Sequence, residues 1–178
     1  MSMLNRYGLK LDEFIINKGG IDLIELQLVK ESEKEVLYNI FQKYLYEMTQ
    51  YYDDELDDTG NYLYRYFDDY FIESTRKALF IKLEGKIVGF IMINNHSYIH
   101  QKPDYVITEF SIFPIYRKKG IAREAIDKVF SQYPGKWELK YSLKNKAAVN
   151  LWNKSTEIFK PVVYQLEDDE QVLAFQTN

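Results

Sequence analysis

The chain has 178 residues, 46% hydrophobic and 16% aromatic, with 16 tyrosines, no cysteine and a formal net charge of −4. That length predicts one domain with a substantial core. The absence of cysteine excludes disulfides, a thiol nucleophile and zinc–thiolate sites, and the acidic balance argues against a nucleic-acid footprint. No apolar run is long enough to span a bilayer, and no charged-then-apolar leader opens the sequence, so a cytoplasmic protein without a membrane partner is expected.

Residues 1–20 carry scattered apolar positions and a Gly19-Gly20 break, and are expected to form an extension packed on a domain that runs from 21 to 178. From Ile21 to Val29, Ile24, Leu26 and Leu28 alternate with Glu25 and Gln27, which predicts a strand. Ser32 to Glu35 has capping-box spacing. Leu37, Ile40, Phe41, Tyr44, Leu45 and Met48 then recur at helical spacing. An acidic, aromatic loop comes next, with Tyr51, Tyr52, Asp53, Asp54, Glu55, Asp57 and Asp58. Tyr62, Leu63, Tyr66, Phe67, Tyr70 and Phe71, in pairs one turn apart, predict a second helix whose tyrosines pack in the core. Ala78–Leu83 and Lys86–Ile93 read as a hairpin around Glu84-Gly85. The segment from Asn94 to Asp104 is a loop. It holds His96 and His100 without a carboxylate cluster nearby, so no metal site is expected.

The most informative stretch runs from Val106 to Ala122. It begins as a strand rich in β-branched and aromatic residues, which Pro114 ends because proline lacks a backbone donor. A helix is expected from near Arg117, with Ile121, Ala125, Ile126, Val129 and Phe130 on one face. Between strand and helix lie Arg117, Lys118, Lys119, Gly120, Ile121 and Ala122. Gly120 permits close approach to the backbone. The first amides of a helix have no internal partners and favour an anion, with cations beside them here. A phosphate or diphosphate site is the expectation. Lys136–Tyr141 predicts another strand, Asn145 caps a helix that buries Ala148, Leu151, Trp152 and Ser155, and Pro161–Gln165 with Gln171–Phe175 predict a final hairpin.

Strand, proline, basic glycine turn and helix in this order resemble motif A of the GNAT superfamily, the acetyl-CoA-dependent N-acyltransferases. Arg117, Gly120 and Ala122 match its Arg/Gln-x-x-Gly-x-Gly/Ala pattern. Asn145, Ala148, Leu151 and Trp152 match a second family feature, Asn-x-x-Ala followed by an aliphatic or aromatic residue and a tyrosine, with Trp152 in the tyrosine's place. The run Tyr133 to Glu138 is similar to that of a subgroup of uncharacterised predicted acetyltransferases. The resemblance covers roughly Ile21 to Phe175 in the element order β, α, α, β, β, β, α, β, α, β, β. It implies an α/β (α+β) GNAT fold: a mixed, mostly antiparallel sheet, splayed between its fourth and fifth strands and flanked by helices.

The resemblance also implies acetyl-CoA as cosubstrate. Pantetheine would lie on the backbone of Phe110, Ser111 and Ile112, the diphosphate on the turn 117–122, and Asn145, Ala148 and Trp152 would border the coenzyme arm. An amine acceptor is implied on the side of the first helices, where Tyr51, Tyr52, Asp53 and Asp54 are candidates to attract a cation; the same loop also reads as solvated surface. A homodimer is left open. An alkyl ammonium, with a pKa near ~10.4, must lose a proton before it attacks. Glu109, where relatives that acetylate amines often carry a carboxylate, is the candidate base, although a carboxylate on a sheet face is also a common structural feature. The expected activity is N-acetyl transfer to a primary amine by direct attack. A non-catalytic acyl-CoA-binding module is the alternative, supported by Trp152. A nucleotide-binding role ranks last, since neither a P-loop pattern nor an acidic ribose partner is present.

Overall fold

A computed structural model of the chain describes residues 24–178. The extension expected over 1–20 and the first residues of the strand expected from Ile21 lie outside the described residues. The fold is built on one seven-stranded sheet in the order β1-β2-β3-β4-β5-β7-β6. Its strands are β1 (Ile24–Leu28), β2 (Lys77–Leu83), β3 (Lys86–Asn94), β4 (Tyr105–Ile112), β5 (Lys136–Ser142), β6 (Val162–Gln165) and β7 (Glu170–Gln176). Every pairing is antiparallel except β4 with β5.

Among the described residues, three α-helices cover the two faces: α1 (Lys34–Met48) on one, α2 (Ile121–Gln132) and α3 (Lys146–Thr156) on the other. On the α1 face, Leu37, Phe41 and Leu45 pack against Ala78, Phe80, Phe90 and Met92. On the opposite face, Ile126, Val129, Phe130 and Trp152 meet Leu79, Ile91, Ile93, Trp137 and Leu139. The alternation of β2 and β3 side chains between these clusters is the period-2 signature of a strand buried on both faces. No helix among the described residues is long and apolar enough to cross a membrane.

Several local expectations hold. Glu84 and Gly85 both have positive φ, 50° and 76°, and close the β2–β3 hairpin as a mirror-image turn. Asn145 caps α3, its Oδ1 accepting the Ala148 amide at 3.0 Å.

Four expectations are corrected. Ser32 does not cap α1. A short 3₁₀ turn over Glu31–Glu33 precedes the helix, and the carboxylate that reaches back is Glu33, which accepts the Lys30 amide at 3.1 Å. The second helix does not form, which removes one α from the expected element order. Tyr62 instead bridges Leu56 in extended pairing, and the helical geometry nearby is limited to a 3₁₀ turn over Asp68–Phe71. Gln42 on α1 accounts for this: its amide oxygen accepts the Tyr62 N–H at 2.7 Å and its Nε2 donates to the Tyr62 carbonyl at 3.0 Å, which fixes both backbone groups outside a helix. Aromatic residues also lose side-chain freedom in a helix, so the segment resists it little. Third, the helix expected near Arg117 begins at Ile121 with Gly120 as its cap, while Pro114–Tyr116 form a 3₁₀ turn. Fourth, the aromatic stripe is not all core packing, because Tyr62 lines a cavity beside the sheet.

The position of that cavity depends on two features of β4. β4 and β5 pair only over Tyr105–Ile107 and Trp137–Leu139, so beyond Ile107 the strands part, as the resemblance implies. β4 also carries a bulge. Ile107 pairs with Ile93 and Glu109 with Met92, which leaves Thr108 as the extra residue. The bulge reverses the alternation, so that Ile107 faces α2 and α3 while Glu109, two residues on, faces α1.

Candidate active site

Where β4 and β5 part, a cavity of about 350 Å³ passes between the two faces of the sheet. On one side it is lined by Asn145, the cap of α3, with Ala148 and Trp152 of α3 and Phe110; on the other by Tyr44, Tyr52, Asp54, Tyr62, Tyr64, Tyr98 and Lys140, with Glu109 among them. The ring of Trp152 stands edge-on to Phe110 at 5.3 Å between centroids, which closes the wall beside the opening.

Of the two carboxylates among the described residues lining this aromatic chamber, Asp54 comes from the acidic loop and Glu109 from the sheet. Glu109 Oε2 accepts the Tyr44 hydroxyl at 2.7 Å. Burial pushes its carboxyl up to about 7, against the opposing pull of hydrogen bonds from Tyr44 and Tyr64 and the Lys140 charge. A carboxyl poised near neutrality can exchange a proton with substrate under working conditions, which an ordinary surface glutamate cannot. The tyrosines stay protonated: burial raises Tyr44, Tyr64 and Tyr98 well above the usual phenol range, with the nearby Glu109 charge adding to the shift. Burial also raises Tyr52, to about 12. They act as neutral donors and aromatic walls. Lys140 is neutralised by Glu170, with both carboxylate oxygens at 2.7 Å from its Nζ. The chamber therefore has aromatic faces, a net negative bias and no unpaired cation on its described wall, a setting that favours a cationic guest.

The candidates of the acidic loop separate. Tyr52 and Asp54 line the chamber; Tyr51 and Asp53 do not. Tyr51 instead lies near Arg117, and Asp53 is exposed. Asp57 is committed to the loop itself, accepting the Thr59 amide and hydroxyl at 2.8 and 2.7 Å and the Asn61 amide at 3.0 Å. Neutralising Asp54 alone, as Asp54→Asn, is expected to raise the KM of a cationic acceptor about three- to tenfold, less at high salt, because an exposed charge is screened over about 8 Å. Asp57→Asn should loosen the loop without that salt signature. Acceptor kinetics at two ionic strengths distinguish them, and an Asp54 variant with unchanged KM would leave that residue as surface.

On the backbone, Phe113 N–H donates to the Val88 carbonyl at 2.8 Å. By antiparallel alternation Ser111 also pairs with β3, so the amide groups of Phe110 and Ile112 are the ones turned toward the gap left by β5. Of the three residues expected along the arm, Phe110 turns its N–H and carbonyl to the gap, Ile112 offers only its N–H because its carbonyl accepts from Arg117 Nε at 2.6 Å, and Ser111 offers neither.

After the strand comes the basic turn. The amides of Ile121, Ala122 and Arg123 have no hydrogen-bond partner among the described residues, as the first turn of a helix requires. Gly120 has φ 81°, and a Cβ there would meet no atom within 4 Å, so the space beside it is open. Lys118 and Lys119 make no ion pair among the described residues. Arg117 differs: its amide donates to the Pro114 carbonyl at 3.2 Å, and its guanidinium is held by Glu47 and the Ile112 carbonyl. His96 and His100 both lie in the loop before β4, His96 beside Arg76 at 3.3 Å. No group of His, Asp and Glu among the described residues could hold a metal ion.

Tyr44, Tyr64, Tyr98 and Lys140 were not expected at the site. Tyr44 reads from its spacing as one more core position on α1. Lys140 alternates with Leu139 and Tyr141, which places it on the α1 face, and this is the one sequence signal that could have found it. Tyr64 falls off the helically spaced stripe of its segment and Tyr98 lies in an irregular loop, so neither position carries a signal.

Residues 35–156 match the family described as acetyltransferase (GNAT) family. No protein of curated function matches the chain. Among solved structures, a GNAT-family acetyltransferase from Streptococcus agalactiae superposes with a TM-score of 0.67 at 12% identity, covering 87% of this chain and 96% of that one. The aminoglycoside acetyltransferase AAC(6')-Ib, solved with coenzyme A, gives 0.61 at 14% identity over 87% and 95%. The GNAT domain of S. lividans PAT gives 0.62 at 11% identity over 91% and 94%. At these identities the likeness is one of fold.

Proposed function

The chain belongs to the GNAT acetyltransferase family, and from that premise we propose that it transfers the acetyl group of acetyl-CoA directly to the primary amine of a small molecule or peptide, favouring a cationic acceptor, with Glu109 as the general base. The observation that carries the proposal is the single cavity through the β4–β5 opening, lined by α3 and Phe110 on one side and by Glu109 and tyrosines on the other.

The residues present fit acetyl-CoA. The arm has the edge groups of Phe110 and the N–H of Ile112, bordered by Asn145, Ala148 and Trp152, and the diphosphate has the amides of 121–123 with Lys118 and Lys119 beside them. Glu109 takes a proton from the acceptor ammonium, directly or through water. The neutral nitrogen attacks the thioester carbonyl carbon, whose oxygen the Ile112 N–H polarises. The C–N bond forms, the C–S bond breaks with its electron pair leaving on sulfur, and the nitrogen gives its surplus proton to water as the amide forms.

Trp152 stands where the family often carries tyrosine, and its indole N–H cannot act as a general acid. None is needed for a thiolate whose conjugate acid, like a cysteine, has a pKa of roughly 8.5, because water protonates it. Trp152→Phe is therefore expected to keep turnover within about tenfold of wild type, the water route being unaffected. A loss as deep as that of Glu109→Gln, with coenzyme affinity intact, would assign Trp152 a role in the chemistry.

A screen of primary amines and peptide N-termini for release of free CoA thiol tests the proposal. Turnover is expected with at least one cationic amine in the presence of a chelator. If wild-type protein binds acetyl-CoA yet acetylates no member of a broad panel, the non-catalytic module becomes the better description.

A further inference from the structure

The coenzyme turn is fastened to the acceptor-side helix. Glu47 sits in the last turn of α1, one turn beyond Tyr44, the partner of Glu109. Its Oε2 accepts from Arg117 Nη2 at 2.7 Å, and its Oε1 accepts from Nη1. Arg117 Nε donates to the Ile112 carbonyl at 2.6 Å. One guanidinium thus joins three elements: the end of α1, the end of β4 and the turn that opens α2. The fork geometry is the bidentate arrangement in which arginine binds a carboxylate best.

We propose that Glu47 and Arg117 form a fixed clamp, in which Arg117 is not a phosphate ligand and Glu47 is a positioning residue that holds the diphosphate turn in place before coenzyme arrives. The proposal rests on the functional reading that this turn receives the diphosphate. A diphosphate approaching Arg117 would have to displace a carboxylate already bound in a fork, exchanging one anion for another with little net gain. Lys118 and Lys119, with no anion partner among the described residues, offer their charge without that exchange. The turn also needs holding. Lys118 has φ 60° and Gly120 φ 81°, a sequence of left-handed residues that a free loop seldom keeps. Arg117 immediately precedes them, so anchoring its side chain to α1 and β4 limits the conformations open to the next three residues. Preorganisation of this kind strengthens binding without any new contact to the ligand.

The clamp and a direct phosphate contact make opposite predictions for Glu47. Calorimetric titration of Glu47→Gln, Arg117→Gln and the double variant with CoA, and with pantetheine, which lacks the diphosphate, separates them. Each single substitution is expected to weaken CoA about tenfold, as for loss of a charge-assisted pair. The double variant should be no weaker than either single one, since both break one unit. Pantetheine affinity should not move in Glu47→Gln, which leaves the bond from Arg117 Nε to the Ile112 carbonyl in place. Arg117→Lys keeps the charge but loses the fork, and should behave like Arg117→Gln. The clamp is overturned if Glu47→Gln leaves CoA binding unchanged or tighter while Arg117→Gln weakens it, because freeing the guanidinium then helps the ligand. It is equally overturned if pantetheine weakens in parallel in Glu47→Gln, which would mark a general loosening of the fold. Failure of the wild-type protein to bind CoA would refute the functional reading instead, and would be seen before any variant is compared.

Discussion

Glu109→Gln is expected to lower kcat by about 10²–10⁴, the usual worth of a positioned base, while the affinity for acetyl-CoA stays unchanged. The substitution keeps the size of the side chain and leaves the turn at 117–122 untouched. The wild-type rate should rise with pH through about 7, where burial sets the Glu109 carboxyl, and the variant should lose that limb. Stability should move the other way. Glu109 in the fold holds its proton to a higher pH than its ordinary value of 4.5. As pH rises between these values the unfolded chain ionises first, so the unfolded state gains and stability falls, levelling off above about 7. An amide cannot ionise, so at about pH 8 the glutamine variant should be more stable than wild type, by of order 1–3 kcal/mol, with the difference vanishing near about pH 4. Denaturant titrations at about pH 5 and pH 8, beside a pH–rate profile, check both limbs. A variant as fast as wild type at every pH would place the base elsewhere.

Gly120→Val should nearly abolish coenzyme binding, weakening it by about a hundredfold or more, because glycine alone takes this backbone conformation without strain and leaves the amides bare. The fold should survive. A Cβ at this position meets no protein atom, so the cost to the unliganded protein is the left-handed backbone, about 1–2 kcal/mol for a non-glycine residue. On the proposed reading, the space it would fill is where the diphosphate approaches Ile121, Ala122 and Arg123. Binding and thermal unfolding measured on the same variant distinguish the two effects: a large loss of CoA affinity with a small fall in Tm is expected. Normal CoA affinity in a folded Gly120→Val protein would remove the diphosphate from this turn.

The parts legible in the sequence are those governed by local rules. The Glu84-Gly85 hairpin, the Asn145 cap, the buried face of α2 and the open amides after Gly120 each depend on residues within a few positions of one another. The site was only half legible because it is assembled by contacts distant in sequence. Glu109 reaches the α1 face through the bulge at Thr108, and no residue type announces that extra position. Arg117 reads as a cation for phosphate until Glu47, far back in the chain, is seen to hold it. The aromatic stripe from Tyr62 to Phe71 has helical spacing, yet Gln42 binds the Tyr62 backbone in extended form. That one contact turns an expected helix into a loop and brings Tyr62 and Tyr64 into the chamber. Among the acidic residues of the preceding loop, charge alone could not tell Asp54, which faces the chamber, from Asp57, which holds its own turn.

Titration of acetyl-CoA into the wild-type protein in the presence of a chelator tests the central claim most directly. Binding at a single site is expected, without metal. A rise in stability of about 2.7 kcal/mol is expected when free ligand stands a hundredfold above its dissociation constant. No heat of binding and no shift in unfolding at millimolar acetyl-CoA would contradict the account.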